Sequence, residues 1–389
     1  MIRKTRLFTP GPTPLLPAEQ FAMAAADMHH RTPEFRALYT KVLAQLKEFV
    51  GTSNDVIILS SSGTGAMEAS VANLTSPGDR VLVLSAGKFG ERWAGIAKAF
   101  GCEVDLVSVP YGQTFDLEEV KPALKLETRA VFVQVHETST GAWHDVKAVG
   151  ELLKAVRSEA LLVVDGIGAL GNSEFDMEGW GIDVLIGDSQ AVTVAPGLSY
   201  LAVSARAWDR MEATYNPRFY FDLRKERKSA KNGESAYTPP VTLIAALGAA
   251  LDWIAAQADG DLAAGRKKLV DNAETIAAMT RAAVLAMGFK LFAATPGAAA
   301  TAVCAPEGTN SGLIVKELKS RFGAIITDGQ GEMKGKIFRI AHLGFFDFMD
   351  TIVLIGALEQ VVVKSLPQLG VQFGTGLVAA QTVYAEHTK

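Results

Sequence analysis

Short apolar runs alternate with amphipathic segments through the first half of the chain. Apolar positions recur at helical spacing in segments such as 33–49 and 146–158. Continuous apolar strands that alternate with helices indicate a mostly parallel sheet covered on both faces. The last two runs are joined by a short connection, which allows one antiparallel strand. We therefore predict an α/β fold with a seven-stranded sheet whose strands are 56–60, 80–85, 103–109, 130–135, 161–165, 184–187 and 198–204.

The two ends of the chain follow different patterns. Prolines at every second or third position make residues 7–17 an extended arm, in which Gly11 permits a close approach to a pocket. The last hundred residues read as a smaller α+β unit. Its first predicted strands are 289–292 and 299–304, and it ends in a helix over 349–366. The pattern predicts an arm over 1–20, a large domain over 21–260 and a small domain over 261–389.

The segment between the two predicted domains breaks the alternation. Residues 216–223 are aromatic, and 224–231 are basic and polar. A charge run of this kind is typical of a solvated loop. We predict a surface connector there.

Composition narrows the function classes. The 389 residues contain 38 basic and 42 acidic side chains, so there is no basic excess to indicate nucleic-acid binding. No apolar run reaches the ~18 residues that span a bilayer, and the basic start is not followed by an apolar signal core. Cys102 and Cys304 are far apart and lack metal-ligand spacing. We expect reduced thiols, no metal site and a cytoplasmic location.

Polar groups follow two apolar runs that are close in sequence. Asp165 ends one run, and Asp188 with Ser189 and Gln190 ends the next. Neighbouring parallel strands would bring these groups together at the carboxyl edge, where open α/β sheets bind ligands. The glycines of 166–171 also match a dinucleotide-binding loop, but only twelve residues separate them from the next strand, too few for a clean crossover helix.

A glycine-containing turn follows the first strand and opens a helix. In this turn Ser62 or Thr64 can cap the helix, whose N-terminal backbone donors and dipole favour an anion. No lysine follows the glycines, so the turn is not a Walker loop. It is either a phosphate seat or a capped helix without a ligand.

Two further residues point to a flat, cationic ligand. A buried, ionised Asp165 needs a cation, which is either a protonated ring nitrogen or a neighbouring arginine or lysine. Phe89 follows another strand end and either stacks on a flat ring or packs in the ordinary way. Together with a phosphate seat, these residues describe a pyridoxal phosphate site.

The chain resembles the class V aminotransferases of the alanine/serine–glyoxylate type. The resemblance runs from Thr-Pro-Gly-Pro at 9–12, through His-Arg at 30–31 and Pro-Glu-Phe at 33–35, to Arg339, and covers nearly the whole chain. It implies the aspartate-aminotransferase-like fold, pyridoxal 5'-phosphate as cofactor and a homodimer with a shared active site.

The resemblance also implies a role for each candidate residue. Asp165 pairs with the pyridine nitrogen and keeps it protonated, so that the ring acts as an electron sink. Gly11 and Arg339 face the substrate, and the fork of Arg339 grips its carboxylate. The ring is held by Phe89 on one face, Ile167 on the other and Thr138 near the hydroxyl. The phosphate is held by Ser62, Gly63, Thr64 and Gln190 and, from the neighbouring subunit, by Tyr237 and Thr238.

The sequence departs from the family at one position. The family has a Schiff-base lysine directly after the glutamine that corresponds to Gln190, whereas Ala191 follows here. The distance from Gln190 to Pro196 and Gly197 is one residue shorter than in the family, so a lysine between Gln190 and Ala191 restores the register. Three explanations are open: a lysine modified by the cofactor that is missing from the written sequence, a natural deletion, or an engineered removal.

The resemblance implies transamination between a small amino acid, alanine or serine, and a keto acid such as glyoxylate or pyruvate. The expected kinetics are ping-pong through pyridoxamine phosphate. A second interpretation is another reaction on the same scaffold, a lyase or desulfurase, but neither Cys102 nor Cys304 suits a desulfurase loop. A third is a catalytically silent, cofactor-binding dimer, which follows if the lysine is truly absent.

Overall fold

A computed structural model describes residues 2–387 of the chain. The apolar runs form strands that are buried on both faces of a sheet, as continuous apolar sequences do in parallel α/β folds. The strands are β1 (Arg6–Leu7), β2 (Asp55–Leu59), β3 (Arg80–Ser85), β4 (Glu103–Ser108), β5 (Thr128–Gln134), β6 (His136–Glu137), β7 (Ala142–Trp143), β8 (Leu161–Asp165), β9 (Val184–Asp188), β10 (Ser199–Val203), β11 (Ala300–Cys304), β12 (Ala324–Ile325), β13 (Thr327–Asp328) and β14 (Ile337–Ala341).

The helices follow most of the amphipathic segments, and several begin at a side-chain cap such as Thr32 or Asp145. They are α1 (Pro17–Ala25), α2 (Pro33–Val50), α3 (Gly63–Leu74), α4 (Lys88–Ala99), α5 (Leu117–Ala123), α6 (Val146–Ala155), α7 (Ala205–Glu212), α8 (Leu223–Ala230), α9 (Val241–Ala256), α10 (Leu262–Ala286), α11 (Ser311–Glu317), α12 (Phe348–Ser365) and α13 (Thr375–His387).

Within residues 2–387 the large sheet has seven strands in the order β2-β10-β9-β8-β5-β3-β4. Strand β10 is antiparallel to both of its neighbours, and the other pairs are parallel. The seven predicted strands and the antiparallel exception are therefore confirmed. One apolar cluster packs α2 and α9 on one face of the sheet, and a second packs α3 and α4 on the other.

The sheet topology places the candidate residues at one edge. Asp165 at the end of β8 is in register with Ile186, two residues before Asp188 on the neighbouring strand. Helices α3 and α4 begin directly after β2 and β3, so their N-termini lie at the same carboxyl edge. This arrangement is the one that builds a ligand site in open α/β sheets.

The C-terminal part has its own sheet and apolar core. Within the described residues its sheet has the order β11-β14-β13, with β14 antiparallel to both neighbours. Helices α10, α12 and α13 and the arm residue Phe8 contribute to the core beside it. Arg339 lies in the middle of β14 and reaches the edge of the large sheet.

Three details of the predicted pattern are wrong. The basic run after residue 223, predicted to be a surface connector, forms helix α8. Asp222 caps this helix, and its own residues Leu223 and Glu226 are buried. Helix α12 does not close the chain, since α13 follows it and packs against α10. The predicted strand at 289–292 is only an isolated bridge from Leu291 to Val303.

Within residues 2–387 no helix is both long and apolar enough to span a membrane.

Candidate active site

A cavity of about 360 Å³ lies where the carboxyl edge of the large sheet meets the C-terminal sheet and the N-terminal arm. The structure brings most of the residues singled out in the sequence to its wall. Those that line it are Gly11, Ser62, Gly63, Thr64, Phe89, Thr138, Asp165, Ile167, Gln190 and Arg339.

Tyr237 and Thr238 are not part of that wall as described. The Tyr237 hydroxyl donates to the carbonyl of Phe219 over 2.8 Å, and its ring stacks on Tyr220 with centroids 5.2 Å apart. Phe219 is 72% exposed, so this aromatic group faces outward from the chain. Within a single subunit it takes no part in the cavity.

The N-terminus of α3 forms one end of the cavity. The sequence allowed Ser62 or Thr64 as the cap of this helix, and the Ser62 side chain makes no capping hydrogen bond. Its first backbone N–H groups are therefore left to a ligand or solvent. A Cβ at Gly63 would lie 2.1 Å from Ile167 Cδ1, so a side chain there would displace the end of Ile167. An uncapped helix start that backbone atoms can approach closely is suited to a phosphate.

Arg92 lies at the same end of the cavity and was not among the residues predicted from the sequence. Its Nη1 donates to the Thr64 hydroxyl over 2.9 Å, and its guanidinium lies 4.7 Å from the centre of the Phe89 ring. Among residues 2–387 it makes no ion pair within 4 Å. The signal was present, since Arg92 follows Phe89 by three residues and so shares its face of α4.

Asp165 lies at the floor of the cavity with 6% of its surface exposed. Its Oδ1 accepts a hydrogen bond from the Ile167 N–H at 3.0 Å, and no cation of the described chain pairs with it within 4 Å. Burial raises the pKa of Asp165 to about 7, and the charges of Asp188 and Glu137 act in the same direction. A protonated ring nitrogen would supply the missing positive charge, so this carboxylate fits a pyridine cofactor.

The segment after β9 forms the wall between Asp165 and the arm. Asp188 accepts hydrogen bonds from the backbone N–H groups of Gln190 and Ala191 at 3.0 and 3.3 Å. The Gln190 side chain donates to Asp188 over 3.0 Å rather than lying free. Burial raises the pKa of Asp188 to about 6. Gly11 of the arm lies so close that a Cβ there would be 3.1 Å from Gln190 Oε1, as the close-approach prediction required.

This segment also carries the departure from the family pattern. Within residues 2–387 no lysine lines the cavity. Residues Ser189–Val192 form one 3₁₀ turn, and Thr193 follows with φ of 71°. A β-branched residue rarely adopts this left-handed conformation, and the buried Thr193 hydroxyl finds no partner in the described chain. Thr193 lies three residues after Gln190, in the loop that is one residue shorter than in the family. A shortened loop would produce backbone strain at such a position.

Arg339 forms the opposite wall and is 3% exposed. Its Nη1 donates to the Thr138 carbonyl over 2.9 Å, and its Nε and Nη2 donate to the Asp328 carbonyl over 3.3 and 3.0 Å. Burial lowers the pKa of Arg339, although the charges of Glu137 and Asp328 oppose that shift. In the described chain it has no carboxylate within 4 Å, so neutral carbonyls orient its charge without neutralising it.

His136 also lines the cavity and was not singled out in the sequence as a site residue. Burial lowers its pKa to about 3, so the ring is neutral, with Nε2 3.3 Å from the Ser173 hydroxyl. Across residues 2–387 no group of three or more His, Cys, Asp or Glu side chains is arranged to hold a metal ion.

Comparison with known proteins identifies the family. The family model described as "Aminotransferase class-V" matches residues 18–330. The chain is 36% identical over 387 residues to a protein of Synechococcus sp. named soluble hydrogenase, small subunit, covering 98% of each. It is 32% identical over 397 residues to the L-aspartate–glyoxylate aminotransferase of Paracoccus denitrificans, covering 100% of this chain and 98% of the relative. The structure of an aspartate aminotransferase from Thermus thermophilus matches with a TM-score of 0.85 and 34% identity, over 92% of this chain and 99% of that one.

Proposed function

Because the chain belongs to the class V aminotransferases, which are pyridoxal-phosphate-dependent enzymes, we propose that it transfers an amino group from a small amino acid such as alanine or serine to a keto acid such as glyoxylate or pyruvate. Arg339 carries this proposal. It presents a fixed guanidinium, free of a carboxylate partner in the described chain, to the cavity that also contains Asp165. Donor and acceptor both have an α-carboxylate, and one arginine can hold each in turn.

We propose that the cofactor binds with its phosphate at the N-terminus of α3. The backbone donors after Ser62 and the charge of Arg92 favour the phosphate there, and Asp165 favours a protonated ring nitrogen. When bound, the cofactor supplies an electron sink for the substrate carbon. Phe89 and Ile167 pack on the two ring faces. The remaining assignments are Gly63, Thr64 and Gln190 near the phosphate, Thr138 near the ring hydroxyl and Gly11 near the substrate.

We propose that the active protein carries a lysine between Gln190 and Ala191. The strained Thr193 supports a loop that is short by one residue, and Gln190, the residue before the proposed lysine, lines the cavity. Its role would be to hold the cofactor covalently and to move a proton to and from the substrate carbon. Within residues 2–387 no group on the cavity wall can replace both roles.

A homodimer with a shared active site is part of the proposal. The exposed rings of Phe219 and Tyr220, which contact the half-buried Tyr237, support a partner surface, because exposed aromatic side chains are enriched where subunits meet. Tyr237 and Thr238 would then reach the phosphate of the other subunit.

The proposed domains are an arm (1–20), a large domain (21–260) and a small domain (261–389). We also propose a cytoplasmic location, which the two unpaired cysteines support.

Glyoxylate is the acceptor that we favour. The relatives include enzymes named L-aspartate–glyoxylate and serine–glyoxylate aminotransferase, so their names share the acceptor and differ in the donor. Several amino donors must therefore be tested against glyoxylate.

A second candidate function applies to the chain as written. Without a lysine on the described wall, the protein would bind the cofactor but would not hold it covalently. It would then be a silent cofactor-binding dimer or a very slow enzyme.

The test is a steady-state assay of protein expressed from its natural gene. Alanine, serine and aspartate are each varied against glyoxylate, and the keto product and glycine are both quantified. We expect equal amounts of the two products and parallel lines in double-reciprocal plots. Intersecting lines would contradict a ping-pong transfer, and no glycine with any donor would favour the silent binder.

A further inference from the structure

Resting on the proposed function, we propose that Glu137 is a positioning residue of the active site, which fixes Phe89 against the cofactor ring and joins it to the loop that holds Arg339. Glu137 ends the short strand β6 and is fully buried. It does not line the cavity, so it would act through its neighbours rather than by touching the substrate.

The Glu137 carboxylate is surrounded by hydrogen-bond donors. Oε2 accepts from the backbone N–H groups of Phe89 and Gly90 at 3.0 and 3.3 Å and from Gln134 Nε2 at 3.1 Å. Oε1 accepts from the backbone N–H and the hydroxyl of Ser139. These contacts come from two stretches of the chain, the start of α4 and the residues on either side of Glu137, and they converge on one carboxyl group.

This donor set favours the ionised form of Glu137. Burial raises the pKa of Glu137. Each of its hydrogen-bond partners in the described chain donates, however, and the proton of a neutral acid would point toward one of these donors. The Ser139 hydroxyl donates its own proton to Oε1 and accepts the Lys88 N–H at 3.2 Å, so a proton on Oε1 would displace the donation from Ser139. The carboxylate therefore serves as a buried anion at the N-terminus of α4, where the helix dipole favours it.

Phe89 is held by this anion through its own backbone. Its N–H is one of the two α4 donors to Glu137 Oε2, so a shift of the carboxylate moves the first turn of the helix. The fit is tight, since a Cβ on Gly87 would lie 2.5 Å from Glu137 Cδ. The position of the Phe89 ring on the cavity wall thus depends on the charge and shape of one buried side chain.

The same segment reaches the substrate side of the site. The carbonyl of Thr138, the next residue, accepts the hydrogen bond from Arg339 Nη1. The anion of Glu137 and the cation of Arg339 also attract each other without direct contact, as the charge of Glu137 opposes the lowering of the Arg339 pKa. Glu137 therefore connects the ring contact and the carboxylate contact.

The alternative is that Glu137 is only a helix cap that stabilises the fold. The chain offers a matched control in Glu359 of α12, which is 2% exposed and accepts the backbone N–H groups of Gly374 and Leu377 at 3.0 and 2.9 Å. It caps the start of α13 and does not line the cavity. A purely structural role would give Glu137→Gln and Glu359→Gln the same phenotype.

The experiment measures ligand binding to the full chain by fluorescence titration, at a temperature where each variant is folded. Pyridoxamine phosphate and pyridoxamine are the probes, because an amine ligand needs no covalent lysine. We expect Glu137→Gln to weaken both by about tenfold, the size of one lost hydrogen bond to a charged group, and to change the circular dichroism of the bound ring. Glu359→Gln should leave both affinities within about twofold of the unaltered chain.

Equal affinities for the unaltered chain and Glu137→Gln would overturn the inference and leave the proposed function standing. Failure of the unaltered chain to bind pyridoxamine phosphate would overturn both. If Glu137→Gln does not fold, Gly87→Ala replaces it, since the added methyl group displaces the carboxylate without removing its charge. Gly87→Ala should weaken both probes by a similar factor, and unchanged binding would again overturn the inference.

Discussion

The guanidinium of Arg92 donates a hydrogen bond to the hydroxyl of Thr64 over 2.9 Å, across the gap between two helix N-termini. Thr64 lies in the first turn of α3, where we propose that the cofactor phosphate binds. Arg92 therefore adds a full positive charge to a seat that otherwise consists of backbone donors and hydroxyls. The contact links the phosphate end of the cavity to Phe89, over whose ring the same guanidinium lies.

Replacing Arg92 by methionine should weaken a phosphorylated ligand selectively. We expect the affinity for pyridoxamine phosphate to fall by about tenfold to a hundredfold, because one charged hydrogen bond to phosphate is lost, and the affinity for pyridoxamine to change little. Both affinities are measured by fluorescence titration. Lys98→Met removes a charge from the exposed face of the same helix and serves as the control. Equal losses of affinity for the two ligands would mean that Arg92 acts through the stacking of the ring and not through the phosphate.

Replacing Arg339 by lysine should raise KM for both substrates. A lysine cannot reproduce the three hydrogen bonds to the carbonyls of Thr138 and Asp328, so the charge is no longer aimed at the carboxylate. We expect KM to rise by about tenfold or more for donor and acceptor alike, with unchanged affinity for pyridoxamine phosphate. Steady-state kinetics of the lysine-containing enzyme test this, with Arg321→Lys as the control. A KM effect on only one substrate would mean that the two carboxylates bind at different places.

Replacing Asp165 by asparagine should have opposite effects on stability and on cofactor binding. Its pKa is raised to about 7 in the fold from an ordinary 3.8, so this carboxyl group favours the native state fully below pH 4, and the benefit is lost as the pH rises toward 7. Without a ligand, Asp165→Asn should therefore unfold at a temperature roughly 2 °C or more higher at pH 8, and at the same temperature at pH 4. Its affinity for pyridoxamine phosphate should fall by about tenfold, because the partner of the ring nitrogen is lost.

Calorimetry at the two pH values and a titration at pH 8 check both effects. Asp183→Asn provides the contrast, since Asp183 is buried but paired with Arg206 and hydrogen-bonded to Leu162 and Ser204. It should lose stability and keep its affinity for the ligand. Parallel losses in Asp165→Asn would show that this carboxylate is structural.

Much of the site was predictable because it depends on strand ends. Asp165 and Gln190 follow apolar runs, so their place at the sheet edge follows from the pattern alone, and Phe89 follows β3 in the same way. The orientation of side chains was less accessible. Gln190 turns to Asp188, and Ser62 does not cap its helix, because these contacts depend on neighbours that only the folded chain brings together.

The wrong prediction for residues 224–231 and the missed Glu137 have a similar cause. The run of charges in α8 resembles a solvated loop in composition, yet Arg227 pairs with Asp55 of β2 at 2.7 Å, so the helix is held by a partner far away in the sequence. Glu137 was not predicted from the sequence, because its role depends on the N–H groups of Phe89 and Gly90, which only the folded chain brings to it. Local spacing carries no information on such contacts.

Thr193→Gly should stabilise the chain of 389 residues. Glycine adopts a φ of 71° without steric cost, and it removes a buried hydroxyl that lacks a partner in the described chain. We expect a gain of about 1 kcal/mol in the free energy of unfolding, measured by denaturant titration. In a chain with a lysine inserted after Gln190 the same substitution should give no gain, because the longer loop would relax. An equal gain in both chains would show that the strain at Thr193 is not caused by the missing residue.

The central claim is that one lysine between Gln190 and Ala191 completes an aminotransferase site. The most direct measurement is the intact mass of two chains after incubation with pyridoxal phosphate and reduction with borohydride: the chain of 389 residues and the same chain with lysine inserted at that position. The account predicts that the inserted chain alone gains one covalent cofactor, attached at the new lysine, and that it produces glycine from glyoxylate. A folded inserted chain that gains no cofactor there, or an equal adduct on both chains, would contradict the account.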